Sequence, residues 1–170
     1  MDARGKGKKP VVAADEPPQD DAAASEEFPL QDRPGFLIRR LHQIHVAIFF
    51  EECARFEVTP VQYSVLSALM ERGQIDQASL AKEIGIDRTN VADVVRRLAL
   101  RGLVVRSLGR DDRRIRLTAL SRDGTALVKS MKKAAQRAHE RTIGPLPPAQ
   151  RNAFVKALHK LVDANNDSGR

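Results

Sequence analysis

The sequence predicts a mainly α chain with one small β-hairpin, and three observations carry that prediction. Apolar residues recur at helical spacing through most of residues 34–165. Two short helical patterns, separated by a glycine turn, come directly before two runs that read as strands. A tight Arg/Asp tip, GRDDR at 109–113, joins those two runs. With 170 residues, the chain is long enough for one domain plus a tail and can bury a core without staples.

Each element has a local reason. Residues 1–33 are rich in Pro, Ala, Gly and charge and carry no apolar stripe, so they read as a disordered N-terminal tail. Phe28 and Leu30 near its end are candidates for tacking onto the core. From Pro34, the spacing of Leu37, Leu41, Ile44 and Ile48 predicts a long helix ending near Phe56. Thr59 as N-cap and Pro60 in the first turn start a second helix with a Val61, Val65, Leu66, Leu69 stripe, and Gly73 stops it. Leu80, Ala81 and Ile84 pack a short third helix. Gly85 makes the turn, Asp87 caps the fourth helix, and Val91, Val94, Val95 and Leu98 form its buried face. Helix, glycine turn, helix is the helix-turn-helix signature. Leu103–Leu108 and Arg114–Leu120 are the predicted strands of the hairpin. Ser121 caps a long helix to about Arg141, GPLPP at 144–148 breaks the chain, and 149–165 form a last helix with Phe154, Leu158, Leu161 and Val162 on its apolar face. The expected layout is a 34–170 domain: a winged helix-turn-helix core at 59–120, flanked by long N- and C-terminal dimerisation helices at 34–56 and 121–165. The two outer segments carry more apolar surface than the small winged module can cover, which is the physical argument for a homodimer.

The formal charge of +7 conceals a split. Residues 1–33 are net −3 and residues 34–170 net +10. Between Arg88 and Arg116 stand nine arginines and three aspartates, net +6. Positive charge focused on one short region is the footprint of a polyanion binder, against the plainer alternative of a solvated surface. No apolar run approaches the ~18 residues of a membrane span, and the N-terminus has no apolar core of a secretory signal. The one cysteine, Cys53, excludes an internal disulfide framework, and the expectation is a cytoplasmic protein. There is no P-loop, GxSxG, GxGxxG or HExxH, so no enzyme is expected. Neither a metal nor a cofactor is expected, because His42, His45, His139 and His159 match no standard ligand spacing.

A winged helix-turn-helix suits double-stranded DNA. With the valine face of the fourth helix buried, its outer face shows Arg88, Thr89, Asn90, Asp93, Arg96 and Arg97. Arg and Asn side chains can pair bidentately with guanine and adenine edges in the major groove. Arg110, Arg113 and Arg114 stand where a hairpin tip can reach a minor groove, and Asp112 has the spacing to orient Arg114. Gln77 and Ser79, opening the third helix, are assigned to phosphate. A sequence-independent architectural binder would share the charge but would not need a polar, base-reading face at 88–97.

The stretch from Ser79 to Gly124 resembles the MarR family of bacterial transcription regulators. The resemblance rests on the Leu80-Ala81 to Gly102-Leu103-Val104 run, on Asp112-Arg113-Arg114 in the wing, and on Leu120-Ser121-Arg122-Asp123-Gly124, where Ser121 stands for the family's Thr. The helix order extends it over roughly 34–165. The resemblance implies a regulator, here read as a repressor, dimerised through its first and last helices on a pseudo-palindromic operator. It also implies release by a small aromatic acid or related anion, an aromatic carboxylate or its CoA thioester. His42, His45, Phe49 and Glu52 share one helix face; with Tyr63, and with Arg39 and Arg40 one turn earlier, they are the candidate effector residues. A redox-sensing role for Cys53 is the alternative, which Glu51 and Glu52 beside it oppose.

Overall fold

The computed structural model describes residues 29–109 and 115–168. Six helices, α1 (Pro34–Cys53), α2 (Pro60–Arg72), α3 (Gln77–Ile84), α4 (Arg88–Leu100), α5 (Arg122–Ile143) and α6 (Pro148–Ser168), accompany three short strands, β1 (Ile75–Asp76), β2 (Val104–Leu108) and β3 (Arg116–Leu120). This is the mainly α, winged helix-turn-helix class that the sequence predicts. The wing-tip residues Arg110, Asp112, Arg113 and Arg114, and residues 1–28 of the tail with Phe28, lie outside the described residues.

Several details differ from expectation. The sheet has three strands, in the order β1-β3-β2, all antiparallel. β1 pairs Ile75 with Thr118 and Asp76 with Leu117, so the start of α3 is stitched to the wing. β3 is described from Arg116 to Leu120, and Arg114, where the sequence reading starts the strand, lies outside the described residues. The end of the segment read as tail carries a 3-10 turn at Leu30–Asp32, and Leu30 is exposed rather than tacked onto the core. α1 stops at Cys53 and passes through a 3-10 turn, Ala54–Phe56, into Glu57, whose left-handed φ of 52° makes the elbow to α2.

Local chemistry sets the helix starts. Thr59 and Gln62 form a reciprocal capping box on α2: Thr59 Oγ1 accepts from Gln62 N at 3.2 Å, and Gln62 Oε1 accepts from Thr59 N at 3.1 Å. Asp76 Oδ1 accepts from Ala78 N and Ser79 N at the head of α3. Asp87 accepts from Asn90 N at 2.9 Å at the head of α4. Ser121 caps α5 by accepting from Gly124 N at 2.9 Å, while its own hydroxyl donates to Gly102 O at 2.7 Å. Gly124 then packs so closely on the residue leading into β2 that a Cβ there would sit 2.0 Å from Leu103 O.

Val65, Leu66 and Leu69 of α2, Leu80 of α3, Val91, Val95 and Leu98 of α4 and Met131 of α5 are fully buried and form the lobe's core. Val61, assigned to the same stripe as Val65, is instead exposed at the start of α2. Thr118 of β3 is buried with its hydroxyl unpartnered among the described residues. α1 lies along α5, joined by ion pairs. Arg137 Nε and Arg141 Nη1 donate to the two carboxylate oxygens of Glu52 at 2.7 and 2.8 Å, and Arg141 Nη2 donates to Glu51 at 2.8 Å. Leu37, Ile44 and Phe50 on α1 and Leu158, Leu161 and Val162 on α6 remain exposed. Among the described residues no helix is long and apolar enough to cross a membrane.

Candidate nucleic-acid interface and effector cavity

The helix-turn-helix and the sheet meet in a concave basic face. α4 buries Val91, Val95 and Leu98 and turns Arg88, Thr89, Asn90, Arg96 and Arg97 outward, with Asp93 half-exposed. A groove of about 630 Å³ runs between α4 and the sheet, lined by Gln77, Thr89, Asn90, Ala92, Asp93, Arg96, Arg106 and Arg116. A second hollow beside it, about 460 Å³, is lined by Asp76, Gln77, Arg88, Ile115 and Arg116.

Asp93 organises the middle of this face. Its carboxylate accepts from Arg96 Nη2 at 2.6 Å and from Arg97 Nη2 at 2.7 Å. The Arg96 hydrogen bond, then the Arg97 charge, hold the Asp93 carboxyl below the usual carboxylate range. Asn90 spends part of its amide on the protein, since its Nδ2 donates to Asp87. Ser79 is likewise engaged, with its hydroxyl donating to Asp76 at 2.6 Å, a bond that lowers the Asp76 pKa. Gln77 does face the groove; Ser79 serves the α3 cap. Arg106 and Arg116, which the sequence reading placed on the strands and outside the DNA-reaching set, also line the groove. Arg106 pairs with Thr118 and Arg116 with Leu108, so the two arginines lie on one face of the sheet. Strand alternation was the available signal, but it needs the register to be read.

A separate cavity of about 460 Å³ lies among α1, α5 and α6. Ile38, Leu41, His42 and His45 come from α1, His139, Thr142 and Ile143 from α5, and Phe154, Val155 and Leu158 from α6. His45 stacks on His139 with ring centroids 5.2 Å apart and planes 12° from parallel, and its Nδ1 is 2.8 Å from Thr142 Oγ1. Burial, then the neighbouring His139 and His42, hold His45 below the ordinary imidazole pKa. Phe49 lies deeper, 6.4 Å from the His45 ring and 5.6 Å from that of Tyr63. Of the candidate effector residues, His42 and His45 line the cavity and Phe49 and Tyr63 continue from it as a chain of rings. Arg39 and Arg40 do not line it. Both are exposed, and Arg39 lies 5.4 Å over the Phe36 ring. Glu52 is committed to Arg137 and Arg141. The sequence reading missed His139, Thr142 and the α6 residues, which lie about a hundred positions from α1.

Cys53 has the wrong surroundings for a sensing thiol. It is 2 % exposed, and burial, then the Glu52 charge, push its pKa up against a smaller opposing pull from Arg137.

The fold and the basic groove define a winged helix-turn-helix nucleic-acid-binding protein. Residues 58–115 match the family model described as MarR family. The transcriptional repressor NicR of Pseudomonas putida is 31% identical over 142 residues, covering 84% of this chain and 90% of the relative. The chain belongs to the MarR family and is a transcriptional regulator. Among solved structures, Bordetella bronchiseptica BpsR, whose DNA binding is regulated by 6-hydroxynicotinic acid, is 37% identical. It has a TM-score of 0.76 and covers 80% of this chain and 97% of its own. Rhodococcus jostii CouR bound to p-coumaroyl-CoA is 28% identical, with a TM-score of 0.68 and coverage of 78% and 94%.

Proposed function

We propose that this regulator is a homodimeric repressor, released from a pseudo-palindromic operator by a small anionic aromatic ligand, an aromatic acid or its CoA thioester. The observation that carries the reading is the apolar, histidine-bearing cavity among α1, α5 and α6, set apart from the basic groove. A ligand there can bias the helices that hold two DNA-reading lobes apart without touching DNA. BpsR and CouR, with their aromatic ligands, support the ligand class.

In this reading α4 enters the major groove. Arg88 and Arg96 supply base-edge donors, and Asp93 fixes the aim of Arg96 and Arg97. Arg106, Arg116 and Gln77 meet phosphates, and the wing-tip arginines Arg110, Arg113 and Arg114 meet the minor groove. The exposed apolar faces of α1 and α6 pair with those of a second copy. Two recognition helices then fall on half-sites about one turn, ~10 bp, apart. A ligand that prefers a lobe spacing unable to span those half-sites shifts the population away from DNA. The test is operator binding followed by fluorescence anisotropy while 6-hydroxynicotinate, benzoate and benzoyl-CoA are titrated. Operator affinity should fall with at least one of them; unchanged affinity with all three would overturn the effector reading.

A further inference from the structure

The hydrogen bonds around His45 fix which of its nitrogens can titrate. The Thr142 hydroxyl has a single proton and lies 2.8 Å from Ala138 O, which can only accept. Toward His45 Nδ1 the hydroxyl oxygen must therefore act as acceptor, so neutral His45 carries its proton on Nδ1. Nε2 is left with a lone pair, and no described residue bonds to it. Protonation would turn Nε2 into a donor without disturbing the Thr142 bond.

The cavity wall offers that donor one kind of use. Its ionisable groups are His42 on α1 beside His45 and His139 on α5. α6 presents Phe154, Val155 and Leu158, and among the described residues no carboxylate or arginine lines the wall. A carboxylate entering an apolar cavity needs a counter-charge and a hydrogen bond, and only the histidines can supply them.

We propose that His45, supported by His42 and His139, is a proton-gated anion site that selects the free aromatic acid over its thioester. The inference rests on the effector reading above. The acid enters as its anion, His45 Nε2 takes one proton from solvent, and the new N–H donates to the carboxylate. A thioester carries no charge at the acyl carbon, so it gains nothing from that proton. Its phosphates would find no cation in the lining. The volume of about 460 Å³ suits a single-ring acid. Burial and the two neighbouring histidines hold the His45 pKa below the ordinary imidazole value, so an incoming anion must draw the proton in. Because binding consumes a proton, affinity falls as pH rises.

Calorimetric titration of the full-length protein with benzoate and 6-hydroxynicotinate, at pH 7.5 in phosphate and in Tris, tests this. The difference in buffer ionisation heat should report uptake of about one proton per ligand, and Kd should rise about tenfold per pH unit between 7.5 and 8.5. Benzoyl-CoA should bind at least about tenfold more weakly than benzoate, and His45→Gln should abolish the proton uptake. Acids that bind with no proton uptake, or a thioester that binds more tightly than its acid, would overturn the proposal while leaving the effector reading intact. Failure of all three ligands to bind would overturn both. If His45→Gln does not fold, the wild-type buffer and pH series decides alone.

Discussion

At the level of single residues, Gly124 shows what a motif glycine is for. It sits in the first turn of α5, where exchanging Gly for Ala ordinarily favours a helix by about 1 kcal/mol. Here the added methyl would lie 2.0 Å from Leu103 O, a backbone atom held in turn by Ser121 N at 3.0 Å. The clash outweighs the propensity. Gly124→Ala should destabilise the protein by about 2 kcal/mol, read as a lower denaturant midpoint; a gain would mean that α5 can slide off the strand. Thr118 presents the opposite case. Its buried hydroxyl has no partner among the described residues, and a buried unpaired polar group costs about 1–3 kcal/mol. Thr118→Val keeps the β-branched shape and should raise stability by about 1 kcal/mol. A loss in thermal unfolding would reveal a bond that the hydroxyl makes.

At the level of elements, the proposed reading has α4 and the sheet divide the work of holding DNA. Asp93 occupies one guanidinium nitrogen each of Arg96 and Arg97, restraining both and cancelling one charge on the face. Asp93→Ala should strengthen binding to random DNA while narrowing the ratio of operator to random affinity, measured by competition anisotropy. An unchanged ratio would mean that the arginines need no guide. In the proposed reading Arg106 and Arg116 meet phosphates rather than base edges. Replacing both with Ala should weaken operator and random DNA alike and reduce the slope of log K against log salt by roughly 2. A loss confined to the operator would make them base readers.

The same elements show what sequence could and could not reveal. α2 and α4 were legible because their caps, Thr59 and Asp87, and their valine and leucine stripes are local signals. β1 was not, because a two-residue strand has no period to detect and exists only through its pairing with β3. The exposed polar face at 88–97 followed from the helical period alone. The cavity among α1, α5 and α6 did not, since His45 meets Thr142 across 97 positions and α6 closes a side that no spacing on α1 can announce. The arginines beside His42 misled for a related reason. Helical spacing gives the angle around α1 but not which angles a neighbouring helix will wall off.

At the level of the whole molecule, α6 carries an apolar face that no described residue covers, with Leu161 and Val162 each more than half exposed. In the homodimer reading a second copy buries it. Leu161→Glu with Val162→Glu should shift the protein toward monomer in sedimentation velocity. Operator affinity should fall toward that of one half-site, while the winged lobe keeps its fold by circular dichroism. A charged double variant that still sediments as a dimer would move the interface elsewhere.

Glu52 has a mechanical consequence. Each of its two carboxylate oxygens holds an arginine one turn apart on α5, and Glu51 secures the second arginine again. Sliding α1 along α5 would break these bonds together, so the two helices behave as a single splinted beam. The chain leaves that beam through the 3-10 turn and the left-handed Glu57, where Arg101, just beyond α4, donates to Glu57 O at 2.7 Å. A twist at this joint would therefore swing the reading head directly, while the beam stayed straight.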